Sequence, residues 1–166
     1  WIYDKWTEPT YPVLRLNFLD LDKYSIDDFK NKLNSYITEF ANKIGVKEYA
    51  EKIEPEDSID SMLEKLREEK RQIVILIDEY DYQLTSNINN DDLYKQFQHK
   101  IKRFYANIKN KWAIKFLGIT GVTRLKDVEI FSIGSDIRDI TNASAYSQMI
   151  GFTRDEIKKY YIDYLT

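Results

Sequence analysis

Ile73-Val74-Ile75-Leu76-Ile77-Asp78-Glu79-Tyr80-Asp81 is the stretch that decides the fold. Five consecutive aliphatic residues, three of them Ile, predict a strand buried on both faces. Strands of that kind belong to parallel sheets, and parallel neighbours need crossover connections that are usually helices. The run passes directly into two acids, with no glycine or proline between strand and charge.

Working outward, the flanks alternate strand and helix. Upstream, Val13-Leu14-Arg15-Leu16-Asn17-Phe18 follows Pro12 and predicts a strand. Ser25 and Asp28 have capping-box spacing, and behind them Ile26, Phe29, Leu33, Tyr36, Ile37, Phe40, Ala41 and Ile44 recur at helical intervals up to Gly45. A less regular segment, Val46 to Ile53, ends at Pro55, and Ser58 opens a helical pattern through Ile59, Met62, Leu63 and Leu66. Downstream, a polar turn from Thr85 to Asn90 precedes a long helix with Leu93, Phe97, Ile101, Phe104, Tyr105 and Ile108 on one side. Trp112 to Ile119 predicts a third strand, punctuated by Thr120-Gly121, and Val128 to Phe131 and Ile137 to Ile140 give weaker strand signals. Thr153 and Glu156 form a second capping box, opening a last helix with Ile157, Tyr160, Tyr161, Tyr164 and Leu165 on its apolar side. The order predicts an α/β fold: a parallel sheet with helices on both faces, in a single domain over 1–166.

Composition removes several function classes. Of 166 residues, 43% are hydrophobic and 32% charged, which excludes a disordered tail, and the longest apolar run is too short for a membrane span. The net charge of -3 argues against wholesale coating of nucleic acid. There is no Cys and one His, His99, so disulfide frameworks, thiolate metal sites and multi-histidine centres are excluded within the chain. A cytoplasmic domain with no membrane partner is the expectation. The start at Trp1 reads as a trimmed piece of a longer protein rather than as a signal peptide.

Chemistry in such sheets gathers at the carboxyl ends of the strands. Two predicted ends carry it: Asp78-Glu79 and Thr120. An apolar strand ending in Asp-Glu has the order that Mg²⁺-dependent phosphoryl chemistry requires. The first carboxylate can hold Mg²⁺ through its water shell, because that ion dehydrates reluctantly. The second, one residue on, can orient or deprotonate an attacking water. Thr120 on a neighbouring strand could contact that water or the terminal phosphate. The plain alternative is that Asp78 and Glu79 cap a loop, or that Asp81 caps a helix. An aspartate phosphohydrolase would need a second Asp at position 80, where Tyr80 stands. His99, among Gln96, Gln98 and Lys100, reads as a solvated helix residue. Lys95, Lys100, Lys102, Arg103, Lys109, Lys111 and Lys115 form a basic run that could touch a phosphate backbone, or could be a solvated helix face.

Together, Ile73 to Asp81, Phe116-Leu-Gly-Ile-Thr-Gly-Val-Thr-Arg124 and Gly151-Phe-Thr-Arg-Asp-Glu156 resemble the predicted AAA-ATPase-like family of bacterial proteins. That family has an "LIDEYD" Walker B block, an "FLTGVSKFS"-like block and a "GFT-x-x-E" block in this order, and Tyr11 to Phe18 resembles the segment after its P-loop. The resemblance implies a P-loop sheet of order 5-1-4-3-2, in which the three strands read here are strands 2, 3 and 4. It implies ATP and Mg²⁺ for the full-length parent, with Asp78 as the Mg²⁺ residue, Glu79 as the water-activating residue and Thr120 as a sensor. Arg124 stands where the family has a basic residue, and it joins Glu79 and Thr120 as a catalytic candidate. A nuclease-like domain of the PD-(D/E)XK type is the partner that the family often carries. No Gly-x-x-x-x-Gly-Lys-Ser/Thr occurs in this chain, so neither ATP nor metal is expected to bind to the piece alone.

Two functions remain in view: a P-loop ATPase module, or a non-hydrolysing module for protein or nucleic-acid interaction on the same fold. With the P-loop strand missing, the outer edge of the third strand is expected to be covered by self-association or by the segment after Ser132.

Overall fold

A computed structural model describes residues 5, 7, 9–109, 111–123, 137–146 and 153–164, apart from the side chain at 163. The chain divides into two compact units, Trp1–Asp136 and Ile137–Thr166.

In the first unit, β1 (Val13–Asn17), β2 (Ile73–Asp78) and β3 (Ile114–Ile119) form a three-stranded parallel sheet in the order β1-β2-β3. This is the α/β architecture expected of strands 2, 3 and 4 in a P-loop-type sheet. Leu14, Ile75 and Leu117 stand in one row, and Leu16, Ile77 and Ile119 in the next. The alternate row is Val13, Val74 and Phe116.

The connecting helices are α1 (Ile26–Lys43), the short α2 (Lys47–Ala50), α3 (Pro55–Glu68), the single turn α4 (Tyr82–Ser86) and α5 (Asp91–Ile108). Because the strands step in one direction and parallel crossovers are right-handed, those connections fall on the same face of the sheet. Accordingly α1, α3 and α5 touch one another, and Leu14, Leu16, Ile75 and Ile77 are buried with Phe29, Leu33, Leu63, Phe97 and Ile101 in one core. T-shaped ring contacts link Phe18 to Phe29 and Phe29 to Phe97 across it. The opposite sheet face differs from the expectation of burial on both sides. Val74 and Leu76 are half-buried, and Phe116 is 57% exposed.

Several boundaries differ from the sequence reading for physical reasons. α3 begins at Pro55 rather than Ser58, with Pro at the first helical position, where its missing N–H costs nothing. Ser25 caps α1 by accepting from Asp28 N, but Ser25 N donates to Asp22 Oδ1 at 2.6 Å, so the reciprocal half of the cap comes from upstream. The first strand stops at Asn17, whose side chain caps a 3₁₀ turn over Phe18–Asp20. Residues 137–140 carry no strand, and Val128 to Phe131 lies outside the described residues. Among the described residues no further strand pairs with β3.

In the second unit, α6 (Arg154–Tyr161) has the expected capping box: Thr153 accepts from Glu156 N while Glu156 accepts from Thr153 N. Its aromatic side does not pack into a core among the described residues, and Tyr160 is 63% exposed. No helix among the described residues is long and apolar enough to cross a membrane.

Candidate functional site at the carboxyl ends of β2 and β3

Parallel pairing brings the ends of β2 and β3 level. Ile77 and Ile119 are partners in the register, Thr120 N donates to Ile77 O at 2.9 Å, and Tyr80 N donates to Thr120 O at 3.1 Å. Asp78 and Thr120, 42 residues apart in sequence, therefore meet: the Thr120 hydroxyl donates to Asp78 Oδ1. The same oxygen accepts from Glu79 N at 3.1 Å. Asp78 Oδ2 has no partner among the described residues, and the side chain is exposed.

Glu79 leaves the strand abruptly. Its φ is +54°, in the left-handed region where a non-glycine residue is uncommon and costs about 1 kcal/mol or more. That turn ends the strand after Asp78 and starts α4, with Tyr82 N donating to Glu79 O at 3.0 Å. The Glu79 carboxylate is half-buried and has no hydrogen-bond or ionic partner among the described residues. Neither acid of the pair meets a cation there, so both carboxylates keep their capacity to accept.

Beyond the pair, Tyr80 and Asp81 turn toward the segment after β3. Asp81 is 1% exposed; its Oδ2 accepts from Thr123 N at 2.6 Å and its Oδ1 from Val122 N at 3.3 Å. It stands at the N-cap position of α4, yet its side chain accepts nothing from that helix. The helix-cap reading of Asp81 is thereby corrected. The Tyr80 hydroxyl donates to Thr123 O at 2.9 Å. Gly121 lies between: a Cβ there would overlap the Tyr80 ring and stand 2.6 Å from Asp81 Oδ1. Beneath this layer Tyr105 is buried, and burial first, then the proximity of Tyr80 and Asp81, pushes its phenol well above the ordinary tyrosine value.

The structure thus brings together Asp78, Glu79 and Thr120. Arg124 lies outside the described residues. His99 is exposed, as expected. Three cations of the basic run are paired with carboxylates: Lys100 and Arg103 with the buried Glu56, Lys100 also with Glu54, and Lys111 with Asp60 at 2.6 Å and Glu64 at 3.2 Å. Sequence reasoning missed the roles of Tyr80, Gly121 and Asp81. The only trace of them was a Thr-Gly step after a strand, which reads as punctuation until an aromatic ring is known to lie against it.

The acidic pair and the hydroxyl thus lie at the carboxyl edge of a parallel α/β sheet, where sheets of this class gather their ligand sites. The chain belongs to the family described as predicted AAA-ATPase, whose model matches residues 2–131. It is also 23% identical, over 159 residues, to a protein of Azotobacter chroococcum mcd 1 described as an uncharacterized protein in the vnfD 5′ region. That match covers 94% of this chain and 30% of the relative, so the chain spans about a third of its length. No solved structure matches.

Proposed function

We propose that this chain is the Walker B half of an ATP-hydrolysing module, in which Asp78 holds Mg²⁺ through water and Glu79 activates the attacking water. The observation that carries the reading is the meeting of Asp78 with Thr120 beside a Glu79 whose backbone is held in the left-handed region and whose carboxylate meets no partner among the described residues.

The residues fit the metal half of the ligand. Asp78 presents an exposed oxygen with no partner among the described residues, and Mg²⁺ needs only one or two carboxylates when waters complete its shell. They do not supply a phosphate cradle, since the sequence contains no Gly-Lys-Ser/Thr loop whose N–H groups could wrap phosphates. In the full-length protein the cation, when bound, neutralises charge on phosphate oxygens. The chain's own residues do the rest. Thr120 fixes the Asp78 carboxylate by donating to one oxygen, which leaves the other for a metal-bound water. Glu79, turned off the strand axis, is free to accept a proton from a water in front of the strand ends.

The test is magnesium-dependent nucleotide binding by the full-length protein, read by calorimetry. Asp78→Ala should weaken binding in the presence of Mg²⁺ by about tenfold or more and leave metal-free binding unchanged. Equal affinity with and without Mg²⁺ in wild type and variant would remove Asp78 from metal binding. The alternative, a non-hydrolysing interaction module, has less support from the basic run, where Lys100, Arg103 and Lys111 already face carboxylates.

A further inference from the structure

The motif runs on past the acidic pair, and its last two residues have no part in the mechanism above. Asp81 is a carboxylate 1% exposed, and it spends its oxygens on two backbone N–H groups of the turn after β3 rather than on its own helix. It meets no cation among the described residues, and burying such a charge is costly unless several donors satisfy it. Tyr80 reaches the same turn from the other side through Thr123 O, and its ring fills the space that a side chain at position 121 would need. The turn is therefore held at three consecutive residues: Gly121 by contact, Val122 and Thr123 by hydrogen bonds. Thr120, immediately before it, is the residue whose hydroxyl meets Asp78.

We infer that Asp81 is a positioning residue: with Tyr80 it clamps residues 121–123 and so sets the rotamer in which Thr120 fixes the Asp78 carboxylate. The inference rests on the proposed ATPase reading for its catalytic consequence, but the clamp itself is a matter of geometry. It explains why the acidic pair is followed by Tyr-Asp in this chain: two residues register one strand end against its neighbour, and the other two carry the chemistry. It also explains Gly121, which is the only residue type that admits the Tyr80 ring at that distance.

The experiment uses two variants, Asp81→Asn and Gly121→Ala, which disturb the clamp from opposite sides. In the chain, three-bond couplings of Thr120 report its side-chain rotamer and amide exchange reports Val122 and Thr123. Wild type should show one Thr120 rotamer and slow exchange; both variants should show rotamer averaging and exchange faster by about tenfold or more at these two amides. In the full-length protein, Asp81→Asn should lower kcat about tenfold with KM for ATP changed less than about twofold, and should cost nothing further in a Thr120→Val background. A fixed Thr120 rotamer with unchanged exchange in both variants would overturn the clamp. Losses that add fully in the double variant would overturn action through Thr120. Absence of ATP turnover in wild type would instead defeat the ATPase reading, while the couplings and exchange would still decide the clamp.

Discussion

Two acidic clusters in this chain have opposite fates. At the start of α3, Glu54 and Glu56 are met by Lys30, Lys100 and Arg103, so that α3 is tied to α1 and α5. At the end of β2, Asp78 accepts from a hydroxyl and a backbone N–H, and neither Asp78 nor Glu79 meets a cation among the described residues. A carboxylate whose charge is answered by an ammonium or guanidinium holds helices together. One left beside a hydroxyl at the carboxyl end of a strand holds no elements together, and its charge is the one the proposed function assigns to a ligand. The sequence singles out Asp78 and Glu79 by the apolar strand before them, whereas the pairing of Glu54 and Glu56 depends on how three helices meet.

The contrast can be broken at either cluster. The largest stability effect is expected at Glu56, which is 1% exposed and leaves two cations without their shared partner when removed. Glu56→Gln should cost about 3 kcal/mol in urea unfolding while the turnover of the folded full-length protein stays at wild-type level. A loss below about 0.5 kcal/mol would show that the cluster is a surface network with little energetic weight.

Glu79 should respond in the opposite sense. Replacing it with glycine relieves the left-handed backbone at φ +54°, so Glu79→Gly should unfold at higher denaturant, by about 1 kcal/mol. The same change should remove turnover. A stabilised but fully active variant would separate the strained backbone from the chemistry and weaken the case for both.

A smaller effect belongs to Glu54. Hydrogen bonds from Lys100, then Lys30, hold its carboxyl below the ordinary value of 4.5. A depressed carboxyl contributes stability above its unfolded value and loses it as pH falls through the folded one. The difference in stability between wild type and Glu54→Gln should thus be constant near neutrality and shrink as pH drops below about 4.5. A difference that grows on acidification would contradict the pairing.

Much of the fold was legible because its signals are local. The Ile73–Ile77 run, the helical spacing of Phe29, Leu33, Ile37 and Phe40, and the Thr153–Glu156 cap each declare their structure within one element. Pro55 misled because proline marks both an ending and a first helical turn, and only what precedes it decides which. The half-buried second face of β2 was not legible either. It follows from the direction in which three strands step, which is a property of topology and not of any residue. At the site, Asp78 and Thr120 could be named as strand ends, but their contact depends on the β2–β3 register. Asp81 was hidden further, because an aspartate before a short helix has the spacing of a cap whether or not it serves as one.

In the proposed mechanism Glu79 activates water at the end of β2 while Asp78 serves the metal. Single-turnover hydrolysis of ATP by the full-length protein, wild type against Glu79→Gln, tests it most directly. The variant should bind ATP with Mg²⁺ as tightly as wild type and hydrolyse it slower by about 100-fold or more. Hydrolysis by Glu79→Gln at the wild-type rate would contradict it.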